Sequence, residues 1–106
     1  MKRIETIKDK KLFNNIIRNG KFKKNEFYVI YNIKKEEEQP FFGIAISNKV
    51  GKAVIRNKLK RQTRTIIDNH RNLFKNNHNY IIMIRKSCSN EKYNTLDNAL
   101  VELLEK

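Results

Sequence analysis

The sequence predicts one α+β domain, a two-layer α-β sandwich with the element order α-β-β-(β)-α-β-α. Three observations lead there. The apolar residues switch repeatedly between helical and strand-like spacing along the chain. A chain of 106 residues with 39% hydrophobic side chains supplies one core, since a domain this small buries only about two thirds of its surface. No internal repeat or Gly/Ser linker occurs and Pro40 is the only proline, so residues 1–106 are read as a single domain.

Leu12, Phe13, Ile16 and Ile17 share one helical face, and Gly20 is a good stop, which gives a first helix over about 9–19. Lys21 to Lys24 offers a short edge strand. Phe27 to Ile33 and Phe41 to Ser47 are rich in aromatic and β-branched residues and read as strands. Between them Glu36, Glu37 and Glu38 suggest a solvated hairpin tip. From Ala53 to Asn69 the period is helical, with Ile55, Leu59 and Ile66 on one side. Tyr80 to Arg85 reads as a buried strand. Ser89 or Asn90 is positioned to cap a last helix whose apolar stripe is Tyr93, Leu96, Leu100, Leu103 and Leu104.

The formal charge is +13, and the partner it implies is a polyanion. Between Glu38 and Asp68 no acidic residue occurs, yet Lys49, Lys52, Arg56, Lys58, Lys60, Arg61 and Arg64 all fall there. On a helical wheel Arg56, Lys60, Arg64, Asn57 and Arg61 occupy an arc of roughly 140°. An unmixed cationic stripe repels itself by a few tenths of a kcal/mol per i,i+4 pair. Nothing within the helix offsets that cost, whereas phosphates would, through counterion release and charge-assisted hydrogen bonds. After Ser87 acids prevail, so the last helix reads as a structural cover.

Strand alternation sends Tyr28 and Ile30 toward the core beneath the last helix, and Val29 and Tyr31 to the opposite face, toward Phe13. Beside a cationic helix such an aromatic and aliphatic floor suits the stacking of single-stranded nucleic acid, worth ~1–3 kcal/mol per base. Several functions are excluded. Cys88 is the single cysteine, so no disulfide closes within the chain, and with only His70 and His78, both read as surface residues, no zinc ligand set exists. The apolar runs are far shorter than the ~20 residues a membrane span needs, and no signal peptide is seen. A cytoplasmic protein is expected. No nucleophile, base or carboxylate pair is readable, so no catalytic residue is assigned.

The stretch Gly43-Ile-Ala-Ile-Ser47-Asn-Lys49-Val-Gly51-Lys-Ala53-Val-Ile-Arg56-Asn57-Lys58-Leu-Lys60-Arg61-Gln-Thr-Arg64 closely resembles the signature of the bacterial ribonuclease P protein family. The family's arginine-asparagine-arginine core stands here as Arg56-Asn57-Lys58. The Phe13 helix, the Phe27 to Tyr31 strand, the Tyr80 to Lys86 strand and the closing helix arrive in the family's order. The resemblance implies a β-α-β unit with a left-handed crossover, an exception to the usual rule. It also implies a non-catalytic protein subunit of a ribonucleoprotein, whose RNA removes the 5′ leader from precursor tRNA and requires Mg²⁺.

By the same resemblance the leader would lie in a cleft between the basic helix and the sheet, touching Phe13, Val29, Tyr31, Ser47, Lys49, Asn57, Lys60, Arg61 and Arg64. The catalytic RNA would meet Lys52, Arg56, Asn57 and Lys58. The protein itself would hold no metal and act as a monomer, one per RNA. Five positions depart from the pattern: Ile17 replaces a frequent second aromatic, Lys58 replaces an arginine and loses bidentate geometry, Asn48 stands where a basic residue is common, and Gln62 and Thr63 occupy positions that are often basic or apolar. The competing readings are an RNA-binding module of another assembly such as the ribosome, a helix-turn-helix DNA-binding protein, and a free-standing nuclease. The second lacks a helix just before the basic one, and the third lacks an acid/base or metal cluster.

Overall fold

The Asp9 carboxylate accepts a hydrogen bond from the backbone N–H of Lys11 at 2.9 Å and starts the first helix, α1 (Lys10–Asn19). In the computed structural model, which describes residues 6–7 and 9–106, α1 is followed by strands β1 (Lys21–Lys24), β2 (Tyr28–Lys34) and β3 (Phe41–Ile46). Helix α2 (Ala53–Asn69), strand β4 (His78–Ile84) and helix α3 (Tyr93–Glu105) complete the chain. The expected order holds, and the short edge strand forms. Gly20 ends α1 in an extended conformation (φ −78°, ψ 164°) rather than a left-handed one. Its need is for space: a Cβ there would sit 2.5 Å from the carbonyl oxygens of both Ile16 and Asn32.

The strands form one mixed sheet in the order β1-β2-β4-β3. β2 is antiparallel to both β1 and β4, and β3 is parallel to β4. The expected β2–β3 hairpin is therefore absent. β4 lies between the two strands because it is apolar on both faces, with Tyr80, Ile81, Ile82 and Ile84 all buried, and only a central strand covers both faces. The Glu36 to Glu38 loop is solvent-exposed as expected, but it spans the end of β4 instead of closing a hairpin.

Alternation divides the core in two. Tyr28 and Ile30 of β2, Phe42 of β3 and Tyr80, Ile82 and Ile84 of β4 face α2 and α3, where Leu59, Ile66, Ile67, Leu96, Leu100 and Leu103 meet them. Phe42, Phe74 and Tyr80 pack there as an aromatic trio, with ring centroids 4.9–5.8 Å apart. This sheet and its α2/α3 layer form the expected sandwich. On the other face α1 packs Ile16 against Ile81, with Ile7 buried in the same cluster and Tyr31, Ile33, Phe41 and Ala45 around them.

The last helix begins later than expected. A single 3-10 turn at Lys86–Cys88 anchors the chain by the Arg85 N–H to the Phe27 carbonyl, and Ser89 and Asn90 are used in the turn that follows. Lys92 occupies the N-cap, without a side-chain cap. Opposite this connection, Asn25 fixes the β1–β2 turn. Its Oδ1 accepts from the N–H groups of Phe27 (2.9 Å) and Tyr28 (2.8 Å), and its Nδ2 donates to the Ala99 carbonyl of α3 (2.9 Å). Asn25→Ala leaves two turn N–H groups and one helix carbonyl without these partners. It is expected to lower stability in urea unfolding by about 1–3 kcal/mol, with Asn25→Asp in between because it keeps the acceptor.

Candidate nucleic-acid interface

The face of the sheet that carries α1 is only partly covered. Across the four strands Phe22, Tyr31, Ile81 and Gly43 stand in one row, and Lys24, Val29, Met83 and Ala45 in the next. α1 covers the inner part of the first row, over Ile81 and Gly43: Ile16 is fully buried, and the Phe13 ring lies so close to Gly43 that a Cβ there would be 3.0 Å from the ring carbon Cε2. Val29 and Met83 in the second row stay half-buried, outside the cluster that α1 closes. The result is a groove with a Val29-Met83-Ala45 floor beside Tyr31, and with Phe13 and Ile17 of α1 next to it. The sequence separated Val29 and Tyr31 from Tyr28 and Ile30 correctly. It missed Met83, because the partners of β4 are not encoded in its own alternation.

The basic segment begins where β3 ends. Ser47 caps a 3-10 turn (Asn48–Val50), its Oγ accepting from the Lys49 N–H at 3.1 Å, and Lys52 is the N-cap residue of α2. α2 turns Leu59, Thr63, Ile66 and Ile67 inward, with the Thr63 hydroxyl donating to the Leu59 carbonyl at 2.8 Å. Asn57, Arg61 and Arg64 are exposed, and Lys60 is half-buried beside them. Among the described residues none of Lys49, Lys52, Lys60, Arg61 and Arg64 forms an ion pair, so their charge is offered to solvent.

Two expectations need correction here, the place of the groove and the freedom of Arg56. The groove with Val29 and Tyr31 does not lie between α2 and the sheet. The parallel β3–β4 pair requires a crossover helix, and α2 packs its apolar stripe on the opposite sheet face, so α1 is the groove's wall. The two surfaces are joined at the C-terminal end of β3, where Ala45 of the floor precedes Ser47 by two residues. Arg56 is not a free member of the ridge, because it is half-buried in the first turn of α2 and its guanidinium donates to the side-chain oxygen of Asn48. Lys58 lies on the other flank of α2, lining a hollow of about 340 Å³ with Leu59, Gln62, Asn90 and Glu91.

The remaining reactive groups are structural. Cys88 is fully buried, its Sγ lies 3.1 Å from the Phe27 carbonyl, and burial pushes the thiol up to about 11, so little thiolate exists at neutral pH. Neither histidine is a simple surface residue. His70 is half-buried with Nε2 2.8 Å from an Asp97 carboxylate oxygen, linking the end of α2 to α3. His78 stacks near Tyr80, and burial together with Lys75, Lys34 and Lys21 holds its imidazole below the usual range. Among the described residues no group of three or more His, Cys, Asp or Glu stands together, and no helix is long and apolar enough to cross a membrane.

The fold and these two surfaces define a small basic α+β protein organised around a β-α-β crossover, with one half-covered strip of sheet and one cationic helix face that has no ion-pair partner among the described residues. A family profile described as Ribonuclease P matches residues 1–106. The ribonuclease P protein component of Bacillus cereus (strain ATCC 10987 / NRS 248) is 31% identical over 107 residues, covering 100% of this chain and 93% of that one. Among solved structures, the RNase P protein of Staphylococcus aureus superposes with a TM-score of 0.88 at 27% identity, over 95% of this chain and 93% of that one. The RNase P protein of Thermotoga maritima gives a TM-score of 0.86 at 28% identity, over 95% and 96%. The chain belongs to the ribonuclease P protein family, the protein components of a bacterial tRNA-processing ribonucleoprotein endoribonuclease, and its partner is accordingly a ribonuclease P RNA.

Gly43 is the pivot of the groove wall. Gly43→Val is expected to push Phe13 off the sheet and cost about 1–3 kcal/mol in urea unfolding, whereas adding Phe13→Leu to Gly43→Val recovers part of that loss.

Proposed function

We propose that this chain is the non-catalytic subunit of ribonuclease P and acts by joining two polyanions. The first turns of α2 and the loop before it, with Lys52, Arg56, Asn57 and Lys58, bind the catalytic RNA. The groove beside α1, with Phe13, Val29 and Tyr31, receives the single-stranded 5′ leader of precursor tRNA. Ser47, Lys49, Asn57, Lys60, Arg61 and Arg64 hold phosphates where the leader leaves the groove at the end of β3. The RNA performs the hydrolysis that gives the mature 5′ end, and the Mg²⁺ the reaction requires is held by RNA. The protein is cytoplasmic and monomeric, one per RNA subunit.

The observation that carries this reading is the pairing of a half-covered aromatic and aliphatic groove with cations that have no carboxylate partner among the described residues. Electrostatics supplies the reason. An RNA enzyme and an RNA substrate repel each other, and a +13 protein between them lowers that repulsion without reading base sequence. The groove adds preference for substrates that carry a leader, because bases stack on its floor whatever their identity. The chain therefore strengthens substrate binding and lowers the Mg²⁺ needed for cleavage.

Single-turnover cleavage at low Mg²⁺ with the cognate RNA tests this. Tyr31→Ala and Arg61→Ala are each expected to raise the Kd for precursor tRNA about five- to thirtyfold, with the cleavage step at saturation little changed. Equal affinity of the wild-type holoenzyme for substrates with and without a leader would sink the proposal. The salt dependence separates the cations. Binding of single-stranded leader RNA by Arg61→Ala or Arg64→Ala is expected to lose about 0.7 from the slope of log K against log salt. Arg56→Ala loses less, since that guanidinium already rests on Asn48.

A further inference from the structure

Phe22 and Val54 are the large hydrophobic residues left exposed among the described residues, and Phe22 is 59% exposed on a strand that is otherwise all lysine. Edge strands are ordinarily protected by charge, and an exposed phenylalanine on a free edge works against that protection. Its ring is nevertheless held in place. Phe22 is directly opposite Tyr31 in the β1–β2 register, with ring centroids 5.9 Å apart and planes tilted by 41°.

The flanking lysines separate by strand alternation. Lys23 faces the α3 side, opposite Ile30, and donates to the backbone carbonyl of Lys106 at 2.5 Å. Lys24 stands on the groove face with Phe22, opposite Val29, and is exposed with no ion pair among the described residues. The groove face therefore ends at β1 in one fixed aromatic ring and one free ammonium group, about 14 Å across the strands from Ala45.

We infer that Phe22 and Lys24 form a nucleotide-binding step at the outer end of the groove, where one base of a single-stranded RNA stacks on Phe22 and the neighbouring phosphate meets Lys24. The inference rests on the groove being the leader site and extends its footprint beyond Tyr31. Selectivity at this step is for an unpaired base, not for a particular one, because every base presents a π face and nothing here reads its edges. The chemistry is that of RNA: an apolar peptide would bury Phe22 but leave Lys24 without a counter-charge.

The test uses the reconstituted holoenzyme and precursor tRNA carrying 2-aminopurine at successive leader positions. Quenching at one position is expected in the wild type, lost in Phe22→Leu and kept in Phe22→Tyr. Phe22→Leu should also weaken binding roughly fivefold for leaders that reach this position and leave shorter leaders unaffected. Lys24→Gln should lower the salt slope by about 0.7 for the long leader only. Equal loss for short and long leaders would make Phe22 a packing residue and overturn the inference. If Tyr31→Ala abolishes leader dependence while Phe22→Leu changes nothing, the step on β1 is wrong and the groove stands. If neither variant alters leader dependence, both are wrong.

Discussion

The architecture depends on β4 having to be covered on both faces. Tyr80, Ile82 and Ile84 point one way and Ile81 the other, all of them buried, so the strand belongs in the sheet interior between β2 and β3. Once β3 lies parallel to β4, the chain between them must cross over the sheet, and the apolar stripe of α2 decides which face it crosses. α3 fills the rest of that face. Among the described residues α1 and Ile7 are left for the other.

A helix of ten residues spans about 15 Å, too little to roof a four-stranded sheet. The strip it leaves, with Val29, Met83 and Ala45, is therefore a geometric remainder of the fold as much as a binding surface. The cations have a comparable origin. The inward side of α2 is used entirely on the core, so Asn57, Arg61 and Arg64 can only face water or a partner. A surface of this kind costs self-repulsion in the free protein and recovers it against phosphate. Groove and ridge lie on different faces of the sheet, and the short Ser47 to Lys52 connection is what makes them one continuous path.

Much of this was legible in the sequence, and the failures share a cause. The bounds of α2 were readable because seventeen residues keep one period without a Gly or Pro, and the two sides of β2 because alternation assigns them directly. Strand order was not readable, since alternation says that a strand has two apolar sides but not which neighbours it takes. Arg56 looked free on a helical wheel, which treats a helix as endless. In the first turn the preceding loop folds back, and Asn48 receives the guanidinium. The cap of α3 was misplaced because Cys88 is drawn into the core beside Phe27, which uses two further residues before the helix begins. His70 carried no local signal, its partner being Asp97 of the distant α3, whereas His78 rests on its chain neighbours Asn77 and Tyr80 at the start of β4.

The two borders of the sheet are treated differently. The β3 border is closed by a parallel bridge from Thr6 to Phe42 and by the Ile7 N–H donating to the Phe42 carbonyl at 2.8 Å. Among the described residues the β1 border has no such lid, and it carries Lys21, Lys23 and Lys24 instead. Two copies approaching along that border would bring six ammonium groups together, so like charge discourages strand-to-strand polymerisation while leaving the backbone row open to water. The molecule can thus keep an unfinished sheet on display without recruiting itself.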